Sequence, residues 1–271
     1  MAKVVVVTSG KGGVGKTTSS AALGAALAQG DESVVVVDFD VGLRNLDLVL
    51  GAERRVVYDL INVVQGDAKL SQALIRDRRL ENMYLLPASQ TRDKDALTSE
   101  GVERVIAELR ERFDWVICDS PAGIERGATL AMRHADAAVV VTNPEVSSVR
   151  DSDRIIGLLD SKTELAERGE FMEKHLLLTR YDTIRAGRGE MLKTEDVLEI
   201  LAIPLLGIIP ESPEVLRASN LGSPVTLANP NSPPARAYYD AARRLTGETI
   251  EMTVPSERRG FFGSLFGRRV A

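Results

Sequence analysis

Short apolar runs dominated by Val, Ile and Leu recur along the chain at residues 4–7, 34–37, 84–86, 115–118, 138–141, 176–178 and 208–209. They are too short for ordinary helices. They are also too continuous for strands with one wet face, so they read as strands covered on both sides. Between them the period changes. Residues 102–113 and 149–159 place apolar side chains three and four apart, the spacing of an amphipathic helix, and 235–245 reads as a last body helix. Buried strands alternating with helices predict an α/β fold: a doubly wound, mostly parallel sheet with helices on both faces. Residues 223–234, rich in Pro, Asn and Ser, predict a loop before the last helix.

No repeat or low-complexity stretch interrupts the first 220 residues, so 1–247 is expected to form one domain. Polar residues 248–257 read as a flexible tether. The final segment, 258–271, sets Phe261, Phe262, Leu265 and Phe266 between Arg258, Arg259 and Arg268, Arg269. On a helix the four apolar side chains share one face, which is the pattern of an amphipathic segment lying on an anionic membrane. A charged tail, or a helix docked on the body, are the alternatives. Burial of the four would yield roughly 6–12 kcal/mol, and ordering about ten residues costs on the order of 10 kcal/mol. One tail should therefore bind weakly, and two tails on a dimer roughly 10²–10⁴-fold better.

Composition narrows the picture little: 271 residues at 44% hydrophobic suit a globular core, and a net charge of −5 argues against a nucleic-acid-binding body. One cysteine excludes an internal disulfide or a multi-thiolate metal site and fits a reducing compartment. Residues 1–7 have no basic n-region and no long apolar stretch follows, so neither export nor a membrane span is expected.

The chemistry is concentrated at strand ends. Gly10, Lys11, Gly12, Gly13, Val14, Gly15, Lys16 and Thr17, followed by Thr18, fit the P-loop pattern between a predicted strand and a small-residue helix. Glycines let successive N–H groups turn onto phosphates, Lys16 meets the outer phosphates, and the Thr17 hydroxyl can ligate Mg²⁺. Asp38 and Asp40 follow the second run, and Asp119 the fourth, where carboxylates face the crevice of an open α/β sheet.

Lys11, a second lysine near the start of the loop, marks the deviant Walker A group, and the chain resembles its MinD/ParA family over nearly its whole length. The matching runs are 8–21, 38–47, 54–67, 86–98, 119–125, 142–155, 176–181, 195–201 and 215–220. They are most similar to the members that act at the division site. This resemblance implies an ATPase that dimerises around ATP, with Lys11 reaching phosphates across the interface. It implies Asp38 and Asp119 with Thr17 around Mg²⁺, and Asp40 on the attacking water. It places Arg180, Pro210 and Glu211 beside adenine, although Asp182 stands where the family more often has Asn. It also implies Arg150, Asp151 and Asp153 on an exposed helix face that binds MinC, the division inhibitor, and MinE, which stimulates hydrolysis and release from the cytoplasmic face of the inner membrane. A DNA-segregation ATPase is the alternative, and it would need a basic surface that the body lacks.

Overall fold

The computed structural model describes residues 2–92 and 94–253. Eight strands form one sheet: β1 (Lys3–Thr8), β2 (Val34–Asp38), β3 (Ile75–Arg76), β4 (Met83–Leu86), β5 (Trp115–Asp119), β6 (Ala137–Thr142), β7 (Glu173–Tyr181) and β8 (Leu205–Pro210). Their order is β3-β4-β2-β5-β1-β6-β7-β8, and every pairing is parallel except β3 with β4. β1 sits centrally, with chain leaving it toward both edges, so its carboxyl end is a switch point where a crevice opens.

The continuous apolar runs divide by the pleat. Val4 and Val6 join Val35, Val37, Val116 and Cys118 in the core on one face, while Val5 and Val7 join Val34, Val36, Trp115 and Ile117 on the other. Both faces are filled because helices cover both, which is why the strands show no polar alternation. Among the described residues, no helix is long and apolar enough to cross a membrane.

Several boundaries differ from the periodicity for identifiable reasons. The helix expected from 102 begins at Ser99, because the Thr98 hydroxyl caps it by accepting from the Gly101 amide at 3.1 Å, ahead of the first apolar position. The last helix begins at Pro233 rather than 235, with Ser232 as its cap and prolines in its first turn. β7 extends beyond its apolar centre to Glu173 and Tyr181, its polar start pairing with β6. The stretch 223–234 is not all loop: Val225–Ala228 forms one helical turn against the helix Lys16–Gln29, to which the Thr226 hydroxyl donates at 3.5 Å. β3, two residues long, leaves no pattern in the sequence.

The helix Lys16–Gln29 packs closely because it is built from small residues. A Cβ on Gly24 would stand 2.7 Å from a Val36 methyl. Gly24→Val is therefore expected to destabilise the fold by about 1–3 kcal/mol through overpacking. Denaturant unfolding should show a lower midpoint with an unchanged slope.

Candidate nucleotide site

The P-loop joins β1 to the helix Lys16–Gln29. Gly13 (φ 78°) and Gly15 (φ 98°) occupy the left-handed region, which L side chains rarely adopt. The Ser9 hydroxyl donates to the Lys11 carbonyl at 2.7 Å, and the Thr179 hydroxyl from β7 donates to the Val14 carbonyl at 2.7 Å and to Asn143 Oδ1 at 2.9 Å. The loop is thus braced from within by Ser9 and from outside by Thr179 of β7, two strands from β1 in the sheet. Gly12 and Gly13 are exposed, Val14 is buried, and Thr17 and Thr18 are half-buried on the first helical turn.

Lys16 is 8% exposed. Burial lowers its pKa, opposed by the charges of Asp119 and Asp40. Asp38 and Asp119 end adjacent strands and face each other in register. Asp38 accepts from the Asp40 amide at 2.8 Å and from the Leu46 amide at 3.3 Å. Burial and the neighbouring Asp119 charge raise the Asp38 carboxyl well above the ordinary range. Burial likewise pushes Asp119 up to about 6, against stabilisation by Ser20, Thr17 and Lys16. Ser20 donates to Asp119 Oδ1 at 2.7 Å, while Oδ2 is buried without a hydrogen-bond partner.

Two desolvated carboxylates side by side, one with an orphaned oxygen, fit a hard divalent cation: it would offset their repulsion and satisfy that oxygen. Among the described residues, no group of three or more His, Cys, Asp or Glu gathers as a protein cage for a metal. The remaining ligands would have to be the Thr17 hydroxyl, phosphate oxygens and water, as suits Mg²⁺. Asp40 is half-buried directly after this pair, and its charge acts on Lys16, Asp38 and Asp119 alike.

Lys11 points elsewhere. Its ammonium lies 3.3 Å from Glu145 Oε2 and 3.1 Å from the Ser147 hydroxyl, at the start of the helix Val146–Leu159. Gly10 touches the same helix one turn on, where a Cβ would stand 2.2 Å from the Asp151 carbonyl oxygen. On that helix Arg150 and Asp153 are exposed, whereas Asp151 is half-buried by this contact.

Arg180, Pro210 and Glu211 lie at the ends of β7 and β8. The Glu211 amide donates to the Tyr181 carbonyl at 2.9 Å, and Arg180, exposed, has φ 54° where the β7 register slips. Beside them runs a cleft of about 1010 Å³ lined by Tyr181, Asp182, Pro210, Glu211 and part of the last helix. Asp182 caps the short helix Thr183–Gly187, accepting from the Ile184 amide at 2.9 Å and the Arg185 amide at 3.1 Å. Asn caps about equally well, so an Asp here keeps the helix start that the resemblance expects of Asn.

The residues missed in the sequence are Ser20, Asn143, Glu145, Ser147 and Thr179. Ser20 had a usable signal, since it stands four residues after Lys16 on the same helix face. The others come from elements remote in sequence: Asn143 and Glu145 between β6 and the helix Val146–Leu159, Ser147 on that helix, and Thr179 on β7. His134 is within 2.9 Å of Glu164, and His175 within 2.8 Å of Glu173, so each has a local partner away from the crevice. Cys118 is buried, its thiol pushed up to about 12 by desolvation, which makes it inert. Phe261, Phe262, Leu265 and Phe266 lie outside the described residues.

A P-loop opening a helix at the switch point of a doubly wound sheet, flanked by strand-end carboxylates, defines a P-loop nucleotide-binding domain. Residues 5–225 match the CobQ/CobB/MinD/ParA nucleotide binding domain. Septum site-determining protein MinD of Escherichia coli (strain K12) is 60% identical over 270 residues, spanning 98% of this chain and 100% of that protein. Among solved structures, the MinC:MinD cell division protein complex of Aquifex aeolicus matches with TM-score 0.84 at 40% identity, covering 94% of this chain and 100% of that one. MinD of Pyrococcus horikoshii OT3, complexed with Mg-ADP, matches with TM-score 0.79 at 33% identity, covering 90% of this chain and 96% of that one. The chain belongs to the MinD family of septum site-determining proteins. The DNA-segregation alternative has correspondingly less support.

Proposed function

We propose that the chain hydrolyses ATP between two subunits and uses that cycle to bind and leave a membrane. The observation that carries this reading is the convergence of Lys16, Asp38, Asp40 and Asp119 on one crevice at the end of β1, β2 and β5. Backbone amides of residues 12–17 and the helix N-terminus cradle the phosphates. Desolvation makes the Lys16 cation costly, and an entering triphosphate restores its partner charge. Thr17, Asp38 and Asp119 would hold Mg²⁺, which when bound would supply Lewis-acid stabilisation of phosphate charge. Asp40 orients the attacking water and accepts its proton. Lys11 reaches phosphates across the dimer interface, where it offsets transition-state charge. Its resting pair with Glu145 is 42% and 54% exposed, so releasing it costs at most about 1 kcal/mol.

Residues 1–247 act as the ATPase domain, 248–257 as the link to the tail, expected to be flexible but bonded back to Arg243 and Arg244 at Glu248, Ile250 and Glu251, and 258–271 as the membrane segment, with Phe261, Phe262, Leu265 and Phe266 entering the lipid of the cytoplasmic face of the inner membrane. Arg180, Pro210 and Glu211 flank adenine. Arg150, Asp151 and Asp153 form the surface for MinC and MinE, so the chain blocks septum formation where it accumulates and departs when MinE stimulates hydrolysis. That the relative from Aquifex aeolicus was solved with MinC supports the MinC assignment.

The test is co-sedimentation with anionic vesicles in ATP and in ADP, with Lys16→Ala alongside. The intact chain should pellet at least about 10-fold more in ATP than in ADP, the gain of a second tail, and the variant should stay in solution. Pelleting that ignores nucleotide would refute the cycle.

A further inference from the structure

We propose that Arg244 is a positioning residue for the C-terminal segment: it clamps the root of that segment onto edge strand β8 and so fixes where the segment leaves the body. Arg244 lies in the last turn of the helix Pro233–Leu245 and is half-buried. Its guanidinium spans two pieces of chain. Nη1 donates to the Leu206 carbonyl of β8 at 2.8 Å, Nε to the Ile250 carbonyl at 3.1 Å and Nη2 to the Glu251 carbonyl at 2.7 Å.

The route to this clamp is built as well. Gly247, at φ 94°, turns the chain back after the helix, and Glu248 returns to Arg243 through bonds of 3.0 and 2.6 Å. Met252 and Thr253 then form part of the same cleft wall as Pro210 and Glu211. Among the described residues β8 pairs only with β7, so it forms an edge of the sheet, the kind of open ladder that proteins cover. A lysine ammonium is a compact point charge that does not match this spread of acceptors, whereas the planar fork of Arg244 serves three carbonyls at once, one on β8 and two in the segment after the helix.

The positioning role rests on the membrane cycle proposed above. With Ile250 and Glu251 held, fewer residues separate the last held point from the arginines at 258 and 259, and the two tails of a dimer start from defined points. Releasing the clamp lengthens that free tether, and effective concentration falls roughly as the −3/2 power of length, which predicts an ATP-state lipid midpoint about two- to threefold higher.

Two measurements on full-length Arg244→Ala and Arg244→Lys separate the clamp from the membrane reading. Cleavage after Glu251 by a glutamate-specific protease should be about tenfold faster in Arg244→Ala than in the unaltered chain, with Arg244→Lys between them, as loss of a net hydrogen-bond contribution predicts. Equal cleavage rates would overturn the clamp. Vesicle titration at saturating ATP should show the two- to threefold shift in Arg244→Ala. Faster cleavage with an unmoved lipid midpoint would overturn the positioning role, leaving Arg244 as a cover for the edge strand. An unaltered chain that never pellets would overturn the membrane reading and the positioning role with it, while the cleavage rates alone decide the clamp.

Discussion

Asp40→Ala is expected to lower ATP turnover by about 10²–10⁴-fold, the usual worth of a positioned general base, while leaving nucleotide binding and ATP-dependent dimerisation in place. The expectation follows from its neighbours. Asp40 is within electrostatic reach of Lys16, Asp38 and Asp119, yet its backbone already serves Asp38, its amide donating to Asp38 Oδ1 at 2.8 Å. That bond survives truncation of the side chain. Losing the carboxylate also removes a like charge from beside Asp38 and Asp119, which favours their ionised forms and any cation they hold. Binding should therefore be equal or tighter as chemistry fails. Phosphate release at saturating ATP, paired with size-exclusion chromatography in ATP, reads the two effects apart. Turnover within threefold of the unaltered chain would remove Asp40 from the reaction.

Gly10→Ala should be nearly as damaging without touching any charged group. The added Cβ would lie 2.2 Å from the Asp151 carbonyl oxygen and 2.6 Å from its Cβ, so the loop or the helix Val146–Leu159 has to move. Both choices are costly. Moving the loop displaces Lys11 and the phosphate cradle, and a misplacement of about 1 Å in catalytic groups costs on the order of 10²-fold in rate. Moving the helix shifts the exposed face that carries Arg150 and Asp153. A turnover loss of about 10²-fold is expected, together with a lower melting temperature. Adding Asp151→Gly removes the Cβ contact but leaves the backbone oxygen in place, so the double variant should remain impaired. Full recovery in that double variant would show that the side chain, and not the main chain, sets the constraint.

Much of the site was legible because it is local. Gly10 to Thr17 is a continuous run whose backbone geometry is dictated by its own glycines, and Asp38 and Asp119 each end an apolar run that can only be a buried strand. The fold class follows from the same runs, since strands without polar alternation require helices on both faces. Sequence alone therefore determined the α/β class, the phosphate loop and the acids beside it.

Tertiary structure decided everything that depends on strand order. Only the placement of β5 next to β2 brings Asp38 and Asp119 into register, where their shared burial raises both carboxyls and leaves Asp119 Oδ2 without a partner. Only the placement of β6 beside β1 sets Glu145 and Ser147 under Lys11 and the Asp151 backbone against Gly10. The Arg244 clamp likewise needs β8 at the sheet edge and a chain that turns back at Gly247. A pattern of apolar positions reports which side chains leave water, because burial depends on each residue's own chemistry. Contacts between residues far apart in sequence depend on how the elements are ordered in space, and that order is set by packing both sheet faces at once.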